Sequence, residues 1–308
     1  MVVKTTKDIV MRVFVTGATG FVGSAVVQEL LAAGHEVLGL ARSDAGAASL
    51  TAIGAFVQRG AVEELDSLES GAATSDAVIH TAFNHDFSKF KESCEIDRRA
   101  IETLGAALTG TTRPLIVTSA VGVLPKGVLG TEETAPASGA AAHPRAATEE
   151  AADAVAARDV RVSVVRLPPS VHGDGDPHFV PTLIKLARRT GLSAYIDDGG
   201  NRWPAVHRLD AARLYRLVLE TRPGGGRYHA VAEEGIPLRD IATAIGHRLG
   251  VPIVGKPRGE AAQHFGGFVN FVALDVPASS ARTREQLGWN PKQVGLLADL
   301  EQGCYFAA

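Results

Sequence analysis

Cysteine, methionine and tryptophan each occur only twice, and aromatic residues make up 6% of the chain. Cys94 and Cys304 are too few for a disulfide framework and have no metal-ligand spacing, which predicts a reducing compartment. No apolar run approaches the roughly 20 residues of a membrane-spanning helix, and the N-terminus has no signal-peptide core, so a cytoplasmic chain without a membrane partner is predicted. Neither sign of charge dominates. The net charge of −3 supplies no basic surface for nucleic acid or an anionic membrane. What remains is 308 residues, enough for one large domain or two modest ones. Residues 1–10 read as a short extension or added leader, with Met11 as a natural start.

Glycine, by contrast, is plentiful, and its placement is informative near the start. Val13-Phe14-Val15 has the length and β-branched content of a buried strand. Gly17, Gly20 and Gly23 follow at once and lead into an apolar-periodic helix, and Val37 to Leu40 forms the next strand. In such a βαβ unit Gly17 permits the tight turn, Gly20 admits a pyrophosphate close to the backbone, and Gly23 packs the helix on the strand. The helix N-terminus then offers free N–H groups to phosphate. A dinucleotide site is predicted.

An NAD-binding unit usually ends its second strand with a carboxylate for the ribose hydroxyls. Here Ala41 occupies that place, followed by Arg42, Ser43 and Asp44. A guanidinium pairs with a 2′-phosphate in a bidentate, charge-assisted geometry, and Ser43 adds a hydroxyl, so NADP (NADPH) is the predicted cofactor. The alternative is that Arg42 is solvated and Asp44 binds the ribose.

Further strands are expected at Ala55-Phe56-Val57, Asp76 to His80, Pro114 to Ser119 and Arg161 to Val165. Helices are expected at Val62 to Ala73, Phe90 to Leu108 and Arg145 to Arg158. This alternation implies an α/β fold with a doubly wound parallel sheet, in which ligands sit beyond the carboxyl ends of the strands. Val121 to His143 reads as a long functional loop. Helices near Val180 to Arg189, Asp210 to Glu220, Leu238 to Leu249 and Ala278 to Leu287 suggest a smaller C-terminal α/β cap supplying the substrate wall. The expected division is 11–166 for the cofactor-binding domain and 167–308 for the cap, with some cap segments returning to the first domain.

From Met11 onward the chain resembles the extended and atypical short-chain dehydrogenase/reductase superfamily, which is NAD-dependent epimerase/dehydratase-like and built on a Rossmann sheet. The resemblance lies in Thr16-Gly17-Ala18-Thr19-Gly20-Phe21-Val22-Gly23, Val117-Thr118-Ser119, Arg166 to Gly173, Val206 to Ala212, and Leu287-Gly288-Trp289-Asn290-Pro291. It implies catalysis by Ser, Tyr and Lys, the last two spaced Tyr-x-x-x-Lys, the tyrosine exchanging a proton with a carbonyl oxygen. With Glu149-Glu150-Ala151 aligned to the family's acidic pair, Ala141 stands where Tyr belongs and Arg145 where Lys belongs. Asp97 stands about where the family often has an asparagine.

Three outcomes remain open: a reductase with another proton donor, hydride chemistry with the proton from water or substrate, or a silent NADP-sensing protein that binds a partner. The favoured expectation is an NADPH-dependent reductase of a ketone, aldehyde, enone, quinone-like compound or imine, with a redox-neutral epimerase or dehydratase as the runner-up. Ser119, His143 and Arg145 are the candidate catalytic residues, with His85 and Tyr195 as further proton donors; Ser119 could instead bond the strand-end backbone. Cofactor contacts are assigned to Gly17, Thr19, Gly20, Phe21, Val22 and Gly23, to Arg42 and Ser43, and to His80, Thr81, Ala82 and Phe83. Ser119, Arg145, Pro168, Ser170 and Val171 complete that set. His85, His172, Tyr195 and Trp203 are candidate substrate contacts, the last three with structural roles as alternatives. Asp174 and Asp176 lack a following ligand pattern, so no metal is expected. The partner is a small molecule, and a homodimer is left open.

Overall fold

Val13, Phe14 and Val15 are fully buried in strand β1 (Arg12–Thr16), as shown by a computed structural model that describes residues 10–221 and 225–306. Apart from Val10, the leader expected at 1–10 lies outside the described residues. β1 is followed by α1 (Phe21–Ala32), β2 (Glu36–Ala41), α2 (Asp44–Ala52), β3 (Phe56–Arg59), α3 (Leu65–Ala73) and β4 (Ala77–His80). Next come α4 (Phe90–Leu108), β5 (Pro114–Ala120), α5 (Ala147–Ala156), β6 (Arg161–Leu167), β7 (Ser170–His172), α6 (Phe179–Thr190) and β8 (Ser193–Ile196). The chain continues through β9 (Arg202–His207), α7 (Arg208–Thr221), β10 (Gly226–His229), β11 (Glu233–Pro237), α8 (Leu238–Leu249) and β12 (Ile253–Lys256). It closes with α9 (Ala261–Phe265), α10 (Val269–Val272), α11 (Ala281–Leu287) and α12 (Leu296–Gln302).

Seven strands pair in parallel in the order β10-β6-β5-β4-β1-β2-β3. This is the doubly wound α/β sheet that the sequence predicts. The order in which strands are added to the sheet reverses between β1 and β4, which opens a crevice beyond their carboxyl ends. α1 and α7 bury their apolar faces on one side of the sheet. α3, α4 and α5 cover the other, where Leu68, Ile101, Leu104, Leu108 and Val155 meet Phe14, Val78 and Leu115. Each fully buried Leu, Ile or Phe contributes up to about 1.5–3 kcal/mol.

The cap has a three-stranded sheet (β11-β9-β7), a β12-β8 pair, and its own core of Val180, Leu183, Trp203, Ile241, Ile245 and Leu300. β10 and α7, although late in the chain, belong to the large sheet and its helical layer. α4 has the expected bounds. α5 starts later than expected because Pro144–Ala146 forms a separate 3₁₀ turn. No described helix is long and apolar enough to cross a membrane.

Candidate active site

Gly17 ends β1 with φ at +67°, a region costly for side chains, and an added Cβ would stand 2.7 Å from the backbone nitrogen of Ala82. Gly23, on the first turn of α1, faces the Gly17 carbonyl so closely that any Cβ would collide with it. The glycines thus bring the β1 turn, the β4 exit and α1 into backbone contact. Gly20 is the N-cap of α1 and donates its N–H to Gly17 at 2.8 Å, while no side chain caps the helix. Its first N–H groups face a cavity of about 730 Å³, lined by Gly17, Thr19, Gly20, Phe21, Val22 and Gly23. A backbone cradle without side chains at an uncapped helix N-terminus fits a pyrophosphate.

At the end of β2, Arg42 is exposed, lines the cavity and has no ion-pair or hydrogen-bond partner among the described residues. Asp44, the alternative ribose acceptor, pairs with Arg59 at 2.9 Å. Ser43 does not line the cavity: its hydroxyl accepts the Gly46 N–H at 3.1 Å as the N-cap of α2. Gly60, Ala61, Val62 and Glu63, just after β3, add a wall that the sequence reading left unassigned.

Thr81, Ala82 and Phe83 line the middle, but His80 points beneath the floor. It is fully buried, with Nδ1 2.7 Å from the Thr16 hydroxyl and Nε2 3.0 Å from Asp97. The other Asp97 oxygen accepts from Arg145 at 2.8 Å and from Thr148 at 2.5 Å. Arg145 also donates to the Thr118 carbonyl at 3.1 Å, and its guanidinium lies 4.0 Å from the centre of the Phe83 ring. Burial alone would raise the Asp97 carboxyl; Arg145 and the His80 and Thr148 hydrogen bonds outweigh it and hold Asp97 below the usual range. Arg145 is therefore a fixed cation in the cavity wall.

Ser119 lines the cavity, yet its hydroxyl bonds neither to a free space nor to the strand backbone; it donates to Glu149 at 2.8 Å. Glu149 also receives Arg166 through two bonds of 2.8 and 2.7 Å and Arg227 at 2.9 Å. Burial works against its charge, but Arg166 keeps Glu149 below the ordinary glutamate value, hence ionised. With its proton given to a carboxylate, Ser119 offers acceptor lone pairs to a ligand, and the strand-end backbone is not its partner.

His143 lines the cavity and its buried Nδ1 has no hydrogen-bond partner among the described residues. Burial first, then the charge of Lys126, lowers its pKa. Lys126, exposed on the Val121–His143 segment, lines the same space. His85 is present too, its outer edge exposed; burial, then His178 and Arg145, lower it to about 4. In the same cavity stand Phe83, Phe87, Phe90, His178, Phe179 and Phe271, of which only Phe83 was assigned from sequence. The available signal was the spacing Phe83-x-x-x-Phe87-x-x-Phe90 and Phe268-x-x-Phe271 in a chain with few aromatics.

Several expected contacts lie elsewhere. Leu167, Pro169 and Val171 line the cavity, whereas Pro168 and Ser170 do not, because residues alternate across the extended segment. His172 is buried and bonds Asp299 at 2.8 Å. Tyr195 packs in the cap core beside Gly199 and Gly255. Trp203 is fully buried and backs Phe179, ring centres 5.9 Å apart. Asp176 accepts the His178 N–H at 2.8 Å and the Tyr305 hydroxyl at 2.9 Å, and so anchors the His178 wall; burial pushes it up to about 6.

The chain is similar to several known proteins. An uncharacterized protein of Schizosaccharomyces pombe is 50% identical over 297 residues, covering 96% of this chain and all of its own. A 2-alkyl-3-oxoalkanoate reductase of Stenotrophomonas maltophilia is 27% identical, covering 80% of this chain and 78% of its own. The solved UDP-glucose 4-epimerase of Thermus thermophilus in complex with NAD superposes with a TM-score of 0.73 at 23% identity, covering 94% of this chain and 97% of that one. The sequence profile of the NAD dependent epimerase/dehydratase family matches residues 13–231, the span from β1 past β10 that carries the glycine cradle, Arg42, Ser119 and Arg145. With that profile covering most of the chain, and the cradle and sheet order in agreement, the chain belongs to the NAD dependent epimerase/dehydratase family.

Proposed function

We propose that the chain is an NADPH-dependent reductase of a carbonyl-type substrate, with His143 replacing the absent tyrosine as proton donor. One observation carries this reading: a single cavity joins the glycine cradle and the unpaired Arg42 to His143 and Arg145. The glycine loop and the α1 N-terminus would hold the pyrophosphate, and Arg42 the 2′-phosphate. Arg42 is poised for this because Arg59, not Arg42, neutralises Asp44.

Reduction of a carbonyl needs a hydride on carbon, supplied by the reduced nicotinamide when bound, and a proton on oxygen. In this reading protonated His143 gives up its ring proton as the carbonyl π pair moves onto oxygen. Arg145, immobilised by Asp97, Thr148 and the Thr118 carbonyl, presents a preorganised positive charge that favours the developing negative charge on oxygen. Ser119, already donating to Glu149, shapes the wall and accepts a hydrogen bond. A family relative named as a reductase accords with this chemistry.

The test is NADPH consumption by purified protein over a panel of ketones, aldehydes, enones, quinones and imines. Turnover with at least one class is expected; an inert protein that still binds NADPH would overturn the reading.

A further inference from the structure

Six of the chain's 11 phenylalanines, Phe21, Phe83, Phe87, Phe90, Phe179 and Phe271, line this one cavity. Five of them form a continuous wall along one side of the cavity, which His178 links to Phe21 of the glycine cradle, ring centres 5.9 Å apart. Phe271 lies 4.8 Å from both Phe87 and Phe179, measured between ring centres, and Phe90 lies 5.9 Å from Phe87 and 6.3 Å from Phe83. His85 and His178, ring centres 4.8 Å apart, extend it. Phe87 remains 40% exposed at the rim, so part of this wall meets water until a ligand covers it.

Polar groups are few on this side. Asn270 and Lys126 are exposed and have no hydrogen-bond or ion-pair partner among the described residues. Asn84 already accepts the Asp86 N–H at 3.0 Å. Burial lowers the pKa of both His85 and His178, and Arg145 is paired with Asp97. A nucleotide sugar brings two phosphate charges and several hydroxyls, each needing a partner, into a wall that offers one unpaired cation and mostly aromatic carbon. A flat apolar ring, by contrast, stacks on such a wall edge-to-face or offset.

We propose that the cap side of the cleft binds an aryl-substituted carbonyl compound, its ring seated among Phe87, Phe179 and Phe271 and its carbonyl toward His143 and Arg145. This deepens the reductase reading and rests on the glycine-cradle end holding the dinucleotide.

Binding measured by calorimetry on protein saturated with NADP⁺, which has no hydride to give, tests it without turnover. The probes are benzylideneacetone, the ring-less enone 3-penten-2-one, and UDP-glucose. Benzylideneacetone is expected to bind at least about tenfold more tightly than 3-penten-2-one, and UDP-glucose not to bind. Phe87→Ala, at the exposed rim, and Phe271→Leu, which keeps apolar volume, are each expected to weaken benzylideneacetone about tenfold while NADP⁺ affinity stays unchanged. Equal affinity for the two enones, tighter binding of UDP-glucose, or unaltered affinity in both variants would overturn the proposal. If benzylideneacetone binds as expected but NADPH is never consumed, the aryl site stands and the reductase reading falls. If other carbonyls are reduced and benzylideneacetone does not bind, the aryl site alone falls.

Discussion

In the proposed reading Arg42 and His143 carry the two chemical choices, cofactor and proton donor, and each is separable by kinetics. A charge-assisted pair between Arg42 and a 2′-phosphate is worth about 1.5–3 kcal/mol. Arg42→Ala is therefore expected to raise the KM for NADPH at least about tenfold and to leave NADH nearly unaffected; paired kinetics with the two cofactors check this. His143 has a pKa below the ordinary histidine value because of burial and Lys126. As an acid it must be protonated, so the reduction rate is expected to fall as pH rises through that lowered pKa. His143→Gln is expected to flatten this limb and reduce kcat about 10²–10⁴-fold, with NADPH affinity retained. An unchanged pH profile would remove His143 from catalysis. That no Tyr-x-x-x-Lys spacing occurs in the chain was visible in the sequence, because a spaced motif can be searched for along it. The sequence could not show that the Ser119 proton is taken by Glu149, since that contact joins β5 to α5 and depends on how the buried Arg166 and the half-buried Arg227 compensate the carboxylate.

The β1–α1 junction was legible because strand, glycine turn and helix are contiguous, and α4 because its buried Asp97, Ala100, Ile101, Leu104 and Leu108 follow a helical period. α2 was not expected; only Leu50 among its side chains is buried, so it leaves almost no apolar stripe to detect. Gly23→Ala is expected to force α1 away from the Gly17 carbonyl, abolishing NADPH binding by calorimetry and lowering the thermal midpoint. α5 bears on stability through Glu149, which neutralises the fully buried Arg166. Glu149→Gln leaves that guanidinium uncompensated and is expected to cost about 3–5 kcal/mol in urea unfolding. Glu149 and Asp97 both have folded-state pKa values below their unfolded ones. Between those values the unfolded chain binds more protons, so their stabilisation is complete above the unfolded carboxylate range of about 4 and is lost as pH falls through the folded values. Unfolding midpoints across an acid pH series are expected to drop accordingly.

The two halves of the molecule meet at the cavity, and there sequence reading reaches its limit. Its aromatic wall is assembled from the β4–α4 loop with the start of α4, the start of α6, and α10, three places far apart in the chain that carry no shared motif. Likewise α7 and β10 rejoin the large sheet after the cap has begun, a consequence of long-range packing between α7 and α1 that no local period reveals. What unites the halves is the proposed hydride path from the cradle side to the cap side. It is tested most directly with NADPH deuterated at the transferable nicotinamide position and a turned-over carbonyl substrate, the product being analysed by mass spectrometry. One deuterium on the former carbonyl carbon (for an enone, on the carbon reduced) is the expected result; product without label, or NADPH bound and recovered unchanged from every substrate, would contradict the account.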